Sequence, residues 1–258
     1  MIILKTKEDI AAIRQACEIW KKVKNQLMQQ VKVGMTTKQV DDLANELICK
    51  YGAKPTFYKL YDFPGYICIS VNDELIHGIG SNYTLKPNDM ITCDIGITYK
   101  DHVCDSAFTW ILPPNDDESK QKILRTTYTC LIEAIKEVYP MNFLGNVCAK
   151  IEEIAQANGY EVIKDYTGHG CGNKPHEDPA VPCFGEKNSG IRLAPNMVIC
   201  IEPMLMTGSD KYKVDLKNQW TVSSRNKKLT CHYEHMVLVT PEGHEVLTYE
   251  ENEDKHIK

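Results

Sequence analysis

Apolar residues recur at helical spacing across residues 7–30, with Ile10, Ile13, Cys17, Trp20, Leu27 and Val31 on one face. That pattern predicts an amphipathic first helix. The stretch VGMTT follows, and Thr36 or Thr37 is the N-cap expected for a second helix through Val40, Leu43, Leu47 and Ile48, ended by Gly52. Residues 55–66, PTFYKLYDFPGY, are aromatic and turn-rich, which predicts a loop leading into a strand at Ile67–Val71. A strand over Asp89–Thr98, a turn at Tyr99–Asp101 and a return strand over His102–Leu112 form a hairpin closed by Pro113-Pro114. The acidic run NDDES opens a third helix over residues 117–138, where negative charge suits the helix dipole. A fourth helix runs from Leu144 to Asn158 and stops at Gly159. Beyond it the pattern predicts a strand at Tyr160–Lys164, a polar loop over Lys211–Gln219, a strand near the end of KKLTCHYEHMVLVT, and a frayed tail, ENEDKHIK.

The stretch Leu193–Glu202, LAPNMVICIE, repeats Leu85–Asp94, LKPNDMITCD, at a constant offset of 108 positions. Leu, Pro, Asn and Ile match in place, and each copy ends in a carboxylate. In both, a Pro-Asn turn feeds an apolar run of strand length. The helix pair before each copy is matched as well: VGMTT, a helix and Gly52 correspond to PMNFLG, a helix and Gly159. These correspondences predict an α/β fold of two similar halves, about 1–115 and 116–250, followed by the tail at 251–258.

Composition narrows the classes. Of 258 residues, 43% are hydrophobic and 25% charged, as in an ordinary soluble globular protein. A formal net charge of −5 argues against a general nucleic-acid binder. No apolar run approaches membrane-spanning length, and MIILKTKEDI carries charges where a secretory signal needs its apolar core. The eleven cysteines are odd in number and include no C-x-x-C pair, so they read as reduced, buried small residues of a cytoplasmic protein.

Acids and histidines fall in turns or at the ends of apolar strands: Asp94, Asp105, His169, His176, Glu202, Glu234 and, earlier, His77. Taken singly, each has an ordinary structural explanation as a turn acid, a strand-edge ion-pair partner or a hydrogen-bonded histidine. Taken together they fit something else. A hairpin can bring Asp94 and Asp105 side by side, and adjacent carboxylates repel unless they share a proton or bind a cation. Five such groups suffice for a centre of two metal ions. Mixed oxygen and nitrogen ligation suits Mn, Fe, Co or Zn, with no choice among them from sequence.

The ordered set ELIHGIG, TCDIG with Asp105 eleven residues on, GHGCG, PHEDP, IEPM and YEHMVLVT resembles the methionine aminopeptidases over essentially the whole chain. The resemblance implies the pita-bread fold, two pseudo-symmetric halves each with helices packed on a mainly antiparallel sheet, forming one catalytic domain over residues 1–258. Carried over by position, it makes Asp94, Asp105, His169, Glu202 and Glu234 the ligands of two divalent ions, with Asp105 and Glu234 bridging. His77 and His176 fall at the family's two non-ligand active-site histidines. Phe63, Cys68 and Trp220 fall where a methionine side-chain pocket is lined. The implied activity is removal of the initiator methionine from nascent proteins with a small second residue, by a metal-bridged water with Glu202 as general base. By the same rule this chain's own Met1-Ile2 keeps its methionine. Only 31 residues separate Glu202 from Glu234, too few for the helical insertion of type II enzymes, so the short, bacterial-like type I form fits. The pattern departs from the family at Cys171, Pro175 and Cys231.

Two rivals share this fold: an aminopeptidase specific for X-Pro, and a binding protein that has lost the metal ligands. The Cys68/Trp220 pocket speaks against the first, the complete ligand set against the second. Lys211, Lys213, Lys217 and the run Ser224-Arg225-Asn226-Lys227-Lys228 are basic islands in an acidic protein. They read either as solvated loops, the ordinary case, or as a surface that docks to the ribosome. Neither membrane association nor recognition of a specific nucleic-acid sequence is expected. Cys68, Cys171 and Cys231 lie beside site motifs, so a thiol lining the cleft would make turnover sensitive to thiol reagents.

Overall fold

The computed structural model describes residues 1–251 and 253–257. Helix α1 (Lys7–Gln30) starts at a capping box in which Thr6 and Asp9 satisfy each other's backbone N–H groups. It buries Ile13, Cys17, Trp20, Val23 and Leu27. Helix α2 (Thr37–Lys50) repeats the device with Thr36 and Gln39, and Gly52 follows at φ +72°, a conformation glycine adopts without cost. Two strands flank the aromatic loop, β1 (Lys54–Pro55) and β2 (Cys68–Val71), and β3 (Glu74–Ile76) follows. The predicted hairpin is β4 (Met90–Tyr99) and β5 (His102–Ile111).

Helices α3 (Glu118–Ile135) and α4 (Leu144–Ala157) pack together, α3 capped by Asp117. The remaining strands are β6 (Tyr160–Val162), β7 (Thr167–Gly170), β8 (Glu177–Pro182), β9 (Val198–Ile201), β10 (Met204–Thr207), β11 (Tyr212–Val214), β12 (Val222–Ser224), β13 (Thr230–His232), β14 (His235–Val239) and β15 (His244–Val246).

Every ladder among the described residues is antiparallel. In the first half β4 pairs with β5 on one edge and with β2 and β1 on the other. In the second half the order is β15-β14-β9-β7-β8. Two small sheets, β13-β10-β6 and β11-β12-β3, flank them. The sequence repeat has a structural counterpart. Thr36, the cap of α2, bridges to Thr84, one residue before the first copy. Phe143, the cap of α4, bridges to Arg192, one residue before the second. The pita-bread arrangement of two related halves is therefore visible down to single backbone contacts.

Within the first half α1 lies on β4 and β5, and the halves join where β14 lies against β5. Trp20 packs edge-on against Phe108, centroids 5.8 Å apart, and donates its indole N–H to Ser106 O. Across the seam Glu234 N donates to Ala107 O at 2.9 Å.

Two expectations are corrected. Lys211–Gln219 is not all loop, because Tyr212–Val214 pairs with β12 as a strand. Residues 251–258 are not frayed where described. Glu253–His256 forms a 3-10 turn, Glu253 and Ile257 are buried, and Glu253 binds the buried Lys24 at 3.1 Å. A buried cation and a buried anion hold each other in place, which polar composition alone did not reveal. Asn252 and Lys258 of that tail lie outside the described residues. Among the described residues all eleven cysteines are free, and ten are buried. No helix there is long and apolar enough to cross a membrane.

Candidate metal centre and active site

The hairpin register explains how the first two acids meet. Asp94 stands opposite Ala107 and Asp105 opposite Gly96, so the two carboxylates are diagonal neighbours on one face. Gly96 has its own reason to be glycine: a Cβ there would come within 2.6 Å of the Phe57 ring, which packs over the hairpin. Glu202 follows the last residue of β9, and Glu234 precedes the first residue of β14. His235 pairs with Ile201, so the two glutamates face each other at the open end of that ladder. His169 comes from β7, whose Gly170 pairs with Ile199. Three strands of one sheet and two of the other thus deliver five side chains to one place.

Their ligand atoms are close. In each of the sets Asp94–Asp105–Glu234 and His169–Glu202–Glu234, the donor atoms lie within 4.8 Å of one another. His169 Nε2 is 3.9 Å from Asp105 Oδ2 and 3.7 Å from Glu202 Oε1. Asp105 and Glu234 are buried, while Asp94, His169 and Glu202 are partly open to the cleft.

The residues fit a divalent cation. Asp94 Oδ1, Asp105 Oδ1 and Glu234 Oε1 are buried without a hydrogen-bond partner among the described residues. An unpartnered buried carboxylate oxygen is costly, and three converging ones call for a shared positive charge. Burial, reinforced by mutual repulsion, holds the carboxyl groups of Asp94, Asp105 and Glu234 well above their usual range. Burial also raises Glu202, to about 7, with His169 opposing. His169 Nδ1 lies 2.9 Å from Gly170 O. A carbonyl only accepts, so the proton sits on Nδ1, and the Nε2 lone pair faces the carboxylates as a metal-binding histidine requires.

His77 and His176 flank this centre. His77 adopts φ +56°, and a Cβ on the following Gly78 would collide with Ile69 O at 2.0 Å. The HG pair of ELIHGIG therefore marks a strained turn pressed against β2. His176 stands edge-on to His169, centroids 4.6 Å apart, and stacks with Tyr61 at 5.9 Å. Burial lowers both histidines, His77 to about 4. Each is therefore neutral near pH 7 and offers one N–H.

Phe63, Cys68 and Trp220 come together as expected. Phe63 meets Trp220 edge-on at 5.1 Å, and Phe63 and Cys68 share an apolar cluster with Phe57, Leu60 and Ile79. Cys68 stands opposite Asp94 across β2 and β4, which places the apolar pocket directly beside the acids. The whole forms a cleft of about 450 Å³, also lined by Tyr61, Ile76 and Tyr166. Cys171 and Cys231 do not line it and are fully buried.

Sequence reasoning missed several neighbours. His232 is buried, its ring nitrogens lack hydrogen-bond partners, and Nε2 lies 3.5 Å from Glu202 Oε2. Its signal was present two residues before Glu234, but it reads there as an ordinary strand residue. Tyr61 sits in the 3-10 turn Leu60–Asp62 and Tyr166 in a loop, and periodicity gives the course of neither. Tyr166 meets His77 edge-on at 5.5 Å.

Comparison with known proteins agrees with this geometry. The pattern of metallopeptidase family M24 matches residues 11–241. A methionine aminopeptidase of Clostridium perfringens is 40% identical over 96% of this chain and 99% of its own length. Methionine aminopeptidase 1 of Bacillus subtilis is 38% identical over 96% of this chain and 99% of its own. The solved methionine aminopeptidase of Thermotoga maritima superposes with a TM-score of 0.93 at 32% identity, covering 97% of this chain and all of that one. A prolidase of Pyrococcus furiosus superposes with a TM-score of 0.79, and the alignment covers only 66% of it. By these matches the chain belongs to metallopeptidase family M24 and, within it, to the methionine aminopeptidases.

Proposed function

We propose that this chain, acting as one catalytic unit in the cytoplasm, removes the initiator methionine from nascent proteins whose second residue is small. The observation that carries the reading is the juxtaposition at Cys68 and Asp94: an apolar, sulfur-bearing pocket shares a strand pair with a cluster of unpartnered carboxylates. Asp94, Asp105, His169, Glu202 and Glu234 would hold two divalent ions of the Co, Mn, Fe or Zn class. When bound, such ions supply Lewis acidity and make water acidic enough to serve as a nucleophile near neutral pH.

The chain's own groups divide the remaining work. Glu202, partly open to the cleft, accepts a proton from the attacking water and returns it to the leaving amine. His176 offers an N–H to the oxyanion that develops on the scissile carbonyl. His77, beside both Trp220 and Tyr166, orients the scissile amide nitrogen. Phe63, Cys68 and Trp220 receive the unbranched thioether, where sulfur–aromatic contacts add about 0.3–1.5 kcal/mol each. The short Glu202–Glu234 connection, 31 residues carrying only short strands, supports the type I form.

Metal-stripped protein given Mn, Fe, Co or Zn singly tests this reading. Release of methionine from Met-Ala-Ser but not from Met-Lys-Ser is expected. Cleavage of an X-Pro tripeptide instead would transfer the chain to the other peptidase class, and bound metal without any turnover would sink the proposal.

The basic islands support docking to the ribosome. Arg225 N donates to Lys211 O at 3.0 Å, so Lys211 and Arg225 lie side by side at one end of the β11–β12 hairpin. Lys213, Lys217, Lys227 and Lys228 are exposed nearby. Salt-sensitive co-sedimentation with ribosomes, abolished by changing Arg225, Lys227 and Lys228 to Glu, is the expected result. Unchanged sedimentation of that variant would leave the loops as solvated surface.

A further inference from the structure

His176 enters the cleft from the short connection between β7 and β8. Its imidazole stands edge-on to His169, stacks with Tyr61 and brings a nitrogen within 4.8 Å of an Asp105 carboxylate oxygen, yet makes no hydrogen bond among the described residues. What fixes it must act on its backbone, and the next residue does so. Glu177 Oε1 accepts from Asn173 N and Lys174 N, each at 2.8 Å, which cinches the connection into a closed turn. The other carboxylate oxygen, Oε2, is bound by Lys5 Nζ.

Lys5 belongs to the segment before α1 and is far from the cleft in sequence. Its side chain is 0% exposed, and that of Glu177 is 3% exposed. Its backbone N donates to Asn196 O at 2.8 Å, in the turn that feeds β9. Its stem crosses Gly172, at φ +128°, where an added Cβ would lie 3.1 Å from Lys5 Cε and 2.6 Å from Ile13 Cδ1. A buried ammonium needs a buried partner, and removing either one leaves an uncompensated charge. The Met1 ammonium also reaches Asp178, but both groups are exposed, and a pair of that kind contributes little.

We infer that Lys5 is a positioning residue for His176: a buried cation carried in by the N-terminal segment pins Glu177, and through it the turn that aims the imidazole. Lys5 does not itself line the cleft. The inference rests on the reading above, in which His176 faces the scissile carbonyl.

The test is a double-mutant cycle with metal content measured for every variant. Lys5→Met should lower kcat on Met-Ala-Ser about tenfold, with KM within about threefold and bound metal unchanged, and Lys5→Arg should recover most of the loss. In a His176→Asn background, Lys5→Met should cost less than about twofold. Wild-type kcat in Lys5→Met, or the full tenfold loss persisting in His176→Asn, would overturn the inference. A second readout does not need turnover: the ring resonances of His176 in histidine-labelled protein should shift or broaden in Lys5→Met, with those of His235 unmoved. Unmoved His176 resonances would also overturn it. Should Lys5→Met not fold, Lys5→Gln, which still donates to Glu177, is read in the same way with a smaller loss expected. Absence of methionine release by the wild-type protein would instead defeat the proposed function, while the resonance measurement would still decide the strut.

Discussion

The Nε2 atom of His232 lies 3.5 Å from Oε2 of Glu202, while His169 Nε2 lies 3.7 Å from the other oxygen, Oε1. Each oxygen of the proposed general base thus has an imidazole nitrogen within 4 Å. Burial lowers His232 to about 3, so its ring is neutral near pH 7 and carries a single N–H. Neither ring nitrogen has a hydrogen-bond partner among the described residues, and Glu202 is the carboxylate within reach of Nε2. A neutral imidazole at this distance can orient the carboxylate without quenching its basicity. His232→Leu should therefore lower kcat about tenfold, near 1.4 kcal/mol, and His232→Gln, which keeps a donor, should fall within about threefold of wild type. Equal kcat in His232→Leu and wild type would make the contact incidental.

Glu202→Gln separates the base from the ligand. The amide cannot accept the water proton, and removing a general base costs typically 10²–10⁴-fold. Turnover of Met-Ala-Ser should fall by about that factor at saturating metal, with one ion or more still bound to Asp94, Asp105, His169 and Glu234. Wild-type turnover with metal bound would remove Glu202 from the proton-transfer role.

The unpartnered oxygens of Asp94, Asp105 and Glu234 make the protein a poor host to its own acids without a cation. Chelation should lower the melting temperature, and adding back Mn or Co should restore it, rising with the logarithm of metal concentration. At a hundred times the dissociation constant the gain is about 2.7 kcal/mol. For a chain of this size that corresponds to roughly 5–10 °C. Asp105→Asn, which removes charge from the centre, should melt higher than the wild type when both are metal-free. A calorimetric scan of the four samples decides it, and a metal-independent melting temperature would contradict the assignment of these residues as ligands.

The parts of this site that were legible in sequence are those whose chemistry is local. The repeat ending in Asp94 and Glu202 announces itself because a strand of strict apolar pattern ends on a charge. The HG of His77 announces itself because only glycine fits against Ile69 O. Long-range pairings were not legible. The tail looked frayed because Glu253 is polar, and its partners Lys24 and His235 lie in distant parts of the chain. Strands β7 and β8 were not foreseen because Gly168 and Gly170 have no strand preference. They are glycines because a Cβ at either would meet a backbone oxygen of the neighbouring strand, Cys200 O at 2.3 Å or Asp178 O at 2.2 Å.

The thiols beside the motifs now separate. Cys171 and Cys231 are sealed in the core, and Cys68 alone of the three lines the cleft. Burial, with Asp94 and Asp105 close by, pushes the Cys68 thiol far above its usual range, so little thiolate is present at neutral pH. The exposed Cys49 should react first with iodoacetamide, without loss of turnover. Modification of Cys68 should be slow, should abolish methionine release, and should be blocked by bound product. Rapid inactivation in step with labelling of Cys68, mapped by peptide mass spectrometry, would show that its thiol is not suppressed.

The tail provides a pH-dependent element of stability. Burial alone would raise the Glu253 carboxyl, but His235 at 2.7 Å and Lys24 at 3.1 Å outweigh it and bring Glu253 down from 4.5 to about 2. A carboxylate whose folded value is depressed stabilises the fold above its unfolded value and loses that contribution as pH falls through the folded one. The window here runs from about pH 4.5 down to about pH 2. The shift is worth roughly 3 kcal/mol at neutral pH. Glu253→Gln should therefore melt roughly 5–10 °C below wild type at pH 7. The gap should narrow as pH drops below 4.5, where the wild type loses the same contribution. Because His235 directly follows Glu234 and binds Glu253, deleting residues after Glu250 should also weaken metal retention. Thermal melts of the point variant at several pH values, with metal stoichiometry of the truncated chain, test both consequences. A pH-independent gap would mean that Glu253 acts by packing alone, and full metal retention after truncation would uncouple the tail from the centre.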